Sequence, residues 1–137
     1  MSVVIDASVL IAALIDGGPG GAWAENILGN DSLFAPELAR VQAANVLRHL
    51  ERAKHLTTSE ANAAHEDLMD LDLELVSFEP FAERIWELRH TLTSDDAWSI
   101  AVAEALRIPL ATLDERLCTA KGIACELLTP ETSRPNY

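Results

Sequence analysis

Short apolar runs that stop at an acidic residue or a proline, each followed by a stretch with helical spacing, organise this chain. Val3 to Ile5 reads as a buried strand ending at Asp6, and a helix starts near Ser8, whose hydroxyl is available to cap it. Gly17 to Gly21 reads as a flexible loop close to that strand end, Ala22 to Leu28 as a helix, and Gly29-Asn30-Asp31 as its stop. Leu33 to Ala35 is a short strand terminated by Pro36, which also suits the first turn of a helix running to about His55. Thr57 to Ser59 caps a further helix that continues to about Asp70. Leu73 to Phe78 alternates and reads as an edge strand, Phe81 to Leu92 as a helix, and Thr93 to Leu106 as the best-defined helix. Leu110 to Leu113 repeats the layout of the first strand and closes at Asp114. A short helix from Glu115 to Lys121, Gly122 and a last strand from Ala124 to Leu128 follow.

Strands and helices alternate almost throughout, in seven helices and four or five strands. That order predicts an α/β protein, a three-layer α/β/α sandwich around a mainly parallel sheet of four or five strands. One domain over residues 1–128 accounts for the pattern, and 129–137 has the composition of a frayed tail.

Composition narrows the function more than the fold. At 137 residues and 49% hydrophobic, the chain can bury an ordinary core and is not a disordered segment. No apolar run is long enough to span a membrane, and the N-terminal run lacks a basic leader and carries Asp6, so a cytoplasmic protein without a membrane partner is expected. Cys118 and Cys125 have no zinc or redox spacing and fit a reducing compartment and a buried role. A net charge of −12 repels phosphate at long range, unlike the basic footprint usual for nucleic-acid binders. The cations gather instead: Arg40, Arg48, Arg52 and Lys54 share one predicted helix, a face for RNA or a partner protein, with helix solubility as the plain alternative. His49, His55, His65 and His90 share no ligand spacing, and Trp23, Trp86 and Trp98 suit core or dimer packing better than base stacking.

The candidate chemistry lies in Asp6, Asp96 and Asp114, each where an apolar run ends or a helix begins. In open α/β sheets ligands bind beyond the carboxyl ends of the strands, and these side chains are expected to converge there. Two carboxylates about 4 Å apart repel by roughly 4 kcal/mol at an effective dielectric near 20, and a divalent cation reverses that sign. Oxygen ligands without His or Cys favour Mg²⁺ or Mn²⁺ over zinc. Such an ion can lower the pKa of a bound water and stabilise charge on a leaving oxygen. Each aspartate also has a plainer reading as a helix cap: Asp6 for the first helix, Asp96 in a capping box with Thr93, and Asp114 for the short helix after it. Asp95 reads equally as support for the site or as surface charge.

Three stretches carry a family resemblance: Val4-Ile-Asp-Ala-Ser-Val-Leu10, Ala35-Pro-Glu-Leu-Ala-Arg-Val-Gln-Ala-Ala-Asn-Val-Leu47, and Thr93-Ser-Asp-Asp-Ala-Trp98 with Ala111-Thr-Leu-Asp-Glu-Arg-Leu117. In their order and spacing the chain resembles the PIN-domain ribonucleases, and within them the VapC-type toxins of bacterial toxin–antitoxin pairs, over roughly Met1 to Leu128. The resemblance implies a PIN-like fold and a metal-dependent endoribonuclease. It implies catalytic positions Asp6, Gln42, Asp96 and Asp114, with Mg²⁺ or Mn²⁺ held by Asp6, Asp96 and Asp114. Ser8 and Thr112 resemble hydroxyl positions beside the metal. A VapB-type antitoxin, a homodimer and a structured RNA substrate of the transfer or ribosomal class are also implied.

One position departs from the family pattern. Gln42 stands where the family has a glutamate, and a neutral amide binds a hard cation more weakly than a carboxylate. The expectation is a weakened or inactive nuclease, whether by natural divergence or by a deliberate silencing substitution. Glu37, five residues earlier, points to another helix face and does not replace it. The alternative function is a PIN fold that binds RNA or antitoxin without cutting. A phospho-acceptor signalling domain is disfavoured, because Asp6 is followed by Ala7 rather than joined to an acidic pair, and no lysine follows the late strands in the needed place.

Overall fold

The computed structural model describes residues 1–131. They form strands β1 (Ser2–Ile5), β2 (Ser32–Pro36), β3 (Glu74–Val76), β4 (Leu110–Ala111) and β5 (Leu127–Leu128). The helices are α1 (Ala7–Ile15), α2 (Pro19–Leu28), α3 (Ala39–Arg52), α4 (Thr58–Asp70), α5 (Ala82–Glu87) and α6 (Ser94–Leu106), with 3₁₀ turns at Glu79–Phe81 and Glu115–Thr119. The sheet has the order β3-β2-β1-β4-β5, and all its pairings are parallel. The expected three-layer architecture is therefore present with five strands, and the edge position expected for the strand after Leu73 is that of β3.

Period-two alternation along β1 divides the core. Val3 and Ile5 face one layer, against Val9 and Leu10 of α1, Ile27 of α2, Ala43 of α3 and Leu68 of α4. Val4 faces the other layer, with Ile85 of α5 and Trp98, Ile100 and Val102 of α6. All three β1 side chains are fully buried. Fully burying a side chain of this kind is worth about 1.5–3 kcal/mol. Helix α6 is buried continuously from Ala97 to Ala103, which explains its apolar run. It starts at the Thr93 cap and stops where Arg107 turns left-handed at φ 56°.

Several expected boundaries shift for local reasons. The glycine run is not a loop throughout: α2 starts at Pro19 and includes Gly20 and Gly21. Gly21 is needed there, because a Cβ at that position would lie 1.7 Å from the Asp16 carbonyl oxygen at the end of α1. Pro36 belongs to β2, in register with Val76, and Glu37 N–H continues the ladder by donating to the Val76 carbonyl at 3.0 Å. The helix expected from Pro36 consequently begins at Ala39. It ends at Arg52, before Lys54 adopts φ 63°. The helix expected over Phe81 to Leu92 shortens to α5, beyond which the Thr91 hydroxyl donates to the Leu88 carbonyl and holds a turn. Strands β4 and β5 are two residues each, and the short helix after Asp114 is a 3₁₀ turn. Thr129, placed at the start of the tail by composition, is buried. Residues 132–137 of that tail lie outside the described residues.

Candidate active site

Asp6 leaves β1 in extended backbone and is itself the cap of α1. Its Oδ1 accepts from the Val9 amide at 3.3 Å and from the Ser8 hydroxyl at 2.5 Å, and its Oδ2 accepts from the Thr112 hydroxyl at 2.6 Å. Capping therefore falls to Asp6 and not to Ser8, because Ser8 is turned towards β4, where its oxygen accepts the Leu113 N–H at 3.1 Å. Thr112 in turn accepts the Asp114 N–H at 3.0 Å. These two hydroxyls lace the carboxyl end of β1 to that of β4.

Asp96 sits in the first turn of α6, where its N–H donates to Thr93 Oγ1 at 3.3 Å. The expected capping contact thus forms, and the Asp96 carboxylate, itself hydrogen-bonded to Thr93, lines a cavity. Asp114 caps the 3₁₀ turn through the Arg116 N–H at 3.1 Å and also receives the Arg116 guanidinium at 2.9 and 2.6 Å. Asp6, Gln42, Asp95, Asp96 and Asp114 all border one cavity of about 440 Å³. The glycine run at 17–21 does not line it.

The electrostatics follow from burial and from like charge. Burial pushes the Asp6 carboxyl above the ordinary carboxylate value; the hydroxyls of Ser8 and Thr112 and the Val9 amide pull it back, and the charge of Asp96 adds to the rise. Asp96 is likewise raised, by burial first, then by Asp114 and Asp95, against the opposing Thr93 bond and Arg116. Asp114 is held below its usual value by Arg116. An oxygen-only donor set in which Asp96 raises the Asp6 carboxyl and Asp114 raises that of Asp96 fits a hard divalent cation in its chemistry. The present geometry is open, however. Among the described residues no group of three or more His, Cys, Asp or Glu side chains is gathered to hold a metal ion, and Asp114 is paired with Arg116.

Sequence reasoning did not single out Arg116 or Ser99. Ser99 lines the same cavity from a buried position one turn after Asp96, and its i,i+3 spacing was the available signal. Arg116 had only its place two residues after Asp114, which any surface ion pair shares.

Other candidates lie elsewhere. Arg40 does not face outward with the remaining cations of α3; it donates to the carbonyls of Leu68 and Leu71 at 3.4 and 2.5 Å and closes the end of α4. Lys54 lies beyond α3. Cys118 is exposed, against the expected buried role, because it sits on the outer side of the 3₁₀ turn whose inward residue is Leu117. Cys125 is half-buried, and burial pushes its thiol up to about 11. All four histidines are exposed. Trp98 is in the core, edge-on to Phe78 with ring centroids 5.4 Å apart, whereas Trp86 is 67% exposed beneath Arg89. Among the described residues no helix is long and apolar enough to cross a membrane.

Comparison with known proteins bears on the family and the fold. A PIN-domain family profile matches residues 3–123. Ribonuclease VapC1 of Mycobacterium tuberculosis is 32% identical over 125 residues, covering 90% of this chain and 94% of that protein. Among solved structures, PAE2754 from Pyrobaculum aerophilum matches with a TM-score of 0.69 at 24% identity, covering 96% of this chain and 91% of that one. VapBC-5 from Mycobacterium tuberculosis, a member of the VapBC family of toxin–antitoxin systems, matches with a TM-score of 0.59 at 21% identity, covering 93% of this chain and 98% of that one. The structural likenesses show the fold. The sequence match runs through β1, α3, α6 and β4, the elements that carry the aspartates and Gln42, and on it the chain belongs to the PIN-domain family, with the VapC ribonucleases among its relatives.

Proposed function

We propose that this chain is a toxin endoribonuclease of the VapC type, hydrolysing RNA phosphodiesters at the cavity between β1, α3, α6 and β4. The observation that supports it is the convergence of Asp6, Gln42, Asp96 and Asp114 on one cavity beyond the carboxyl ends of the parallel strands. Asp6, Asp96 and Asp114 are the residues that would hold a divalent cation, Mg²⁺ or Mn²⁺ by the hardness of their oxygens. When bound, such an ion supplies Lewis-acid stabilisation of charge on the phosphoryl group and makes water a stronger nucleophile.

The protein's own contribution is positioning and charge. Asp6 is fixed by three hydrogen bonds and serves as the rigid acidic anchor. Asp96 presents a carboxylate on a helix already capped by Thr93. Gln42 offers an amide where a carboxylate would add charge, so this chain is a weakened nuclease. A structured transfer or ribosomal RNA is the substrate class, acting in the cytoplasm. A VapB-type antitoxin is the partner, supported by neighbours that are themselves VapBC assemblies, and the active form is a homodimer.

Gln42 also supports a second reading, a PIN fold that binds RNA or antitoxin without cutting it. Cleavage of a broad pool of cellular RNA with Mg²⁺ or Mn²⁺ separates the two. Gln42→Glu is expected to raise cleavage, and Asp6→Asn in that background to abolish it. No cleavage by either the parent chain or Gln42→Glu favours the binding role.

A further inference from the structure

The groove that holds the aspartates continues past Asp114. A second cavity, of about 380 Å³, shares Thr93, Asp96, Asp114 and Arg116 with the first and adds Lys121 and the side chains of Thr91 and Thr119. The chemistry changes along this path, from carboxylates at one end to Lys121 at the other, where the Thr91 and Thr119 hydroxyls are already donated to backbone carbonyls. Arg116 stands at the junction. Its guanidinium grips Asp114 through two nitrogens, yet 85% of its side-chain surface is exposed. An exposed ion pair is screened and easily parted, and a planar fork that matches a carboxylate matches a phosphate equally well.

We propose that Arg116, with Lys121, binds the RNA phosphate next to the one that is cut, and that Arg116 gives up Asp114 for this phosphate as RNA enters. This assignment rests on the ribonuclease reading above. It answers how a chain of net charge −12 with 10 lysines and arginines holds a polyanion at its acidic site, since Arg40, the α3 cation nearest the sequence motif, is committed to the α4 carbonyls. The exchange also makes binding co-operative. Asp114 is relieved of its counter-ion only when phosphate has arrived, which leaves its carboxylate free for a hard cation. Arg116 is a substrate-binding residue in this scheme.

The test is fluorescence anisotropy of the full chain with a labelled single-stranded RNA of random sequence, without divalent metal, across a salt series. Arg116→Ala is expected to weaken binding and to lower the slope of log affinity against log salt by about 0.7, the value for one phosphate contact on a single strand. Lys121→Ala should act similarly, and Asp114→Asn, which releases Arg116, should tighten binding. Arg107→Ala, at the far end of α6 from Asp96, should leave the slope unchanged. If Arg116→Ala keeps the parent slope while RNA still binds, the assignment is overturned and the ribonuclease reading stands. If the parent chain shows no salt-dependent binding, the assignment is likewise overturned, and cleavage by Gln42→Glu then decides whether the ribonuclease reading falls with it.

Discussion

Thr112 donates its hydroxyl to Asp6 Oδ2 at 2.6 Å, joining residues 106 positions apart in the chain. Thr112 is fully buried and Asp6 half-buried, and the same threonine oxygen receives the Asp114 N–H. One side chain thereby fixes two of the three aspartates.

Thr112→Val keeps the shape and removes the hydroxyl. Asp6 then has one donor fewer, and the Asp114 N–H loses its acceptor. The expected cost is about 1–3 kcal/mol, the range for leaving a buried polar group unsatisfied, read as a lower urea midpoint at unchanged slope. A midpoint equal to that of the parent would show that the hydroxyl contributes nothing to the fold.

Gln42→Glu adds a carboxylate to a cavity already bordered by Asp6, Asp96 and Asp114. Without divalent metal the thermal midpoint should fall, through like-charge repulsion. With Mn²⁺ it should rise above that of the parent chain, and cleavage should increase by roughly 10–100-fold, the scale on which changes around a metal site alter affinity or activity. Calorimetry with and without Mn²⁺ checks the first pair of outcomes independently of any RNA.

Asp6→Asn separates charge from shape. Because burial raises the folded carboxyl above its ordinary value of 3.8, the native state binds more protons than the unfolded chain between that value and the raised one. Stability from this group therefore grows as pH falls through that window, and its full penalty stands above it. The midpoint of Asp6→Asn relative to the parent should be highest near about pH 8 and should decline towards about pH 4. A difference independent of pH would mean that Asp6 titrates alike in both states.

Gly21→Ala tests the closeness of α1 and α2. A methyl group 1.7 Å from the Asp16 carbonyl oxygen requires the two helices to separate. The loss should be at least about 1–3 kcal/mol, as for overpacked cores, in a chemical denaturation series. Gly17→Ala, where a Cβ meets nothing within 4 Å, is the control.

The strand–helix order and the aspartates at strand ends were legible because each strand is a short apolar run and each acid interrupts the pattern at its end. The Thr93 cap of α6 and the Thr57 cap of α4 were legible for the same local reason. What escaped was decided by tertiary contact. Gly21 looks like a loop residue until the Asp16 carbonyl is seen against it. Pro36 looks like a helix start until β3 pairs alongside it. Arg40 looks like a solvent-facing cation until the end of α4 arrives beneath it. Arg116 carried no distinctive spacing, and only the cavity shape brings out its position between two groups of residues.

The pairing of β1 with β4 also sets when the site can exist during synthesis. Val4 meets Leu110 and Ile5 meets Ala111 in the sheet, so β1 waits for a strand that leaves the ribosome more than a hundred residues later. Contacts of such long sequence separation form late and slow folding. A nascent chain halted before Thr112 has Asp6 but not its partner hydroxyl, Asp114 or Arg116. The acidic cavity is therefore closed only when most of the polypeptide has emerged, and truncated translation products of this chain would lack the wall that Asp114 and Arg116 give it.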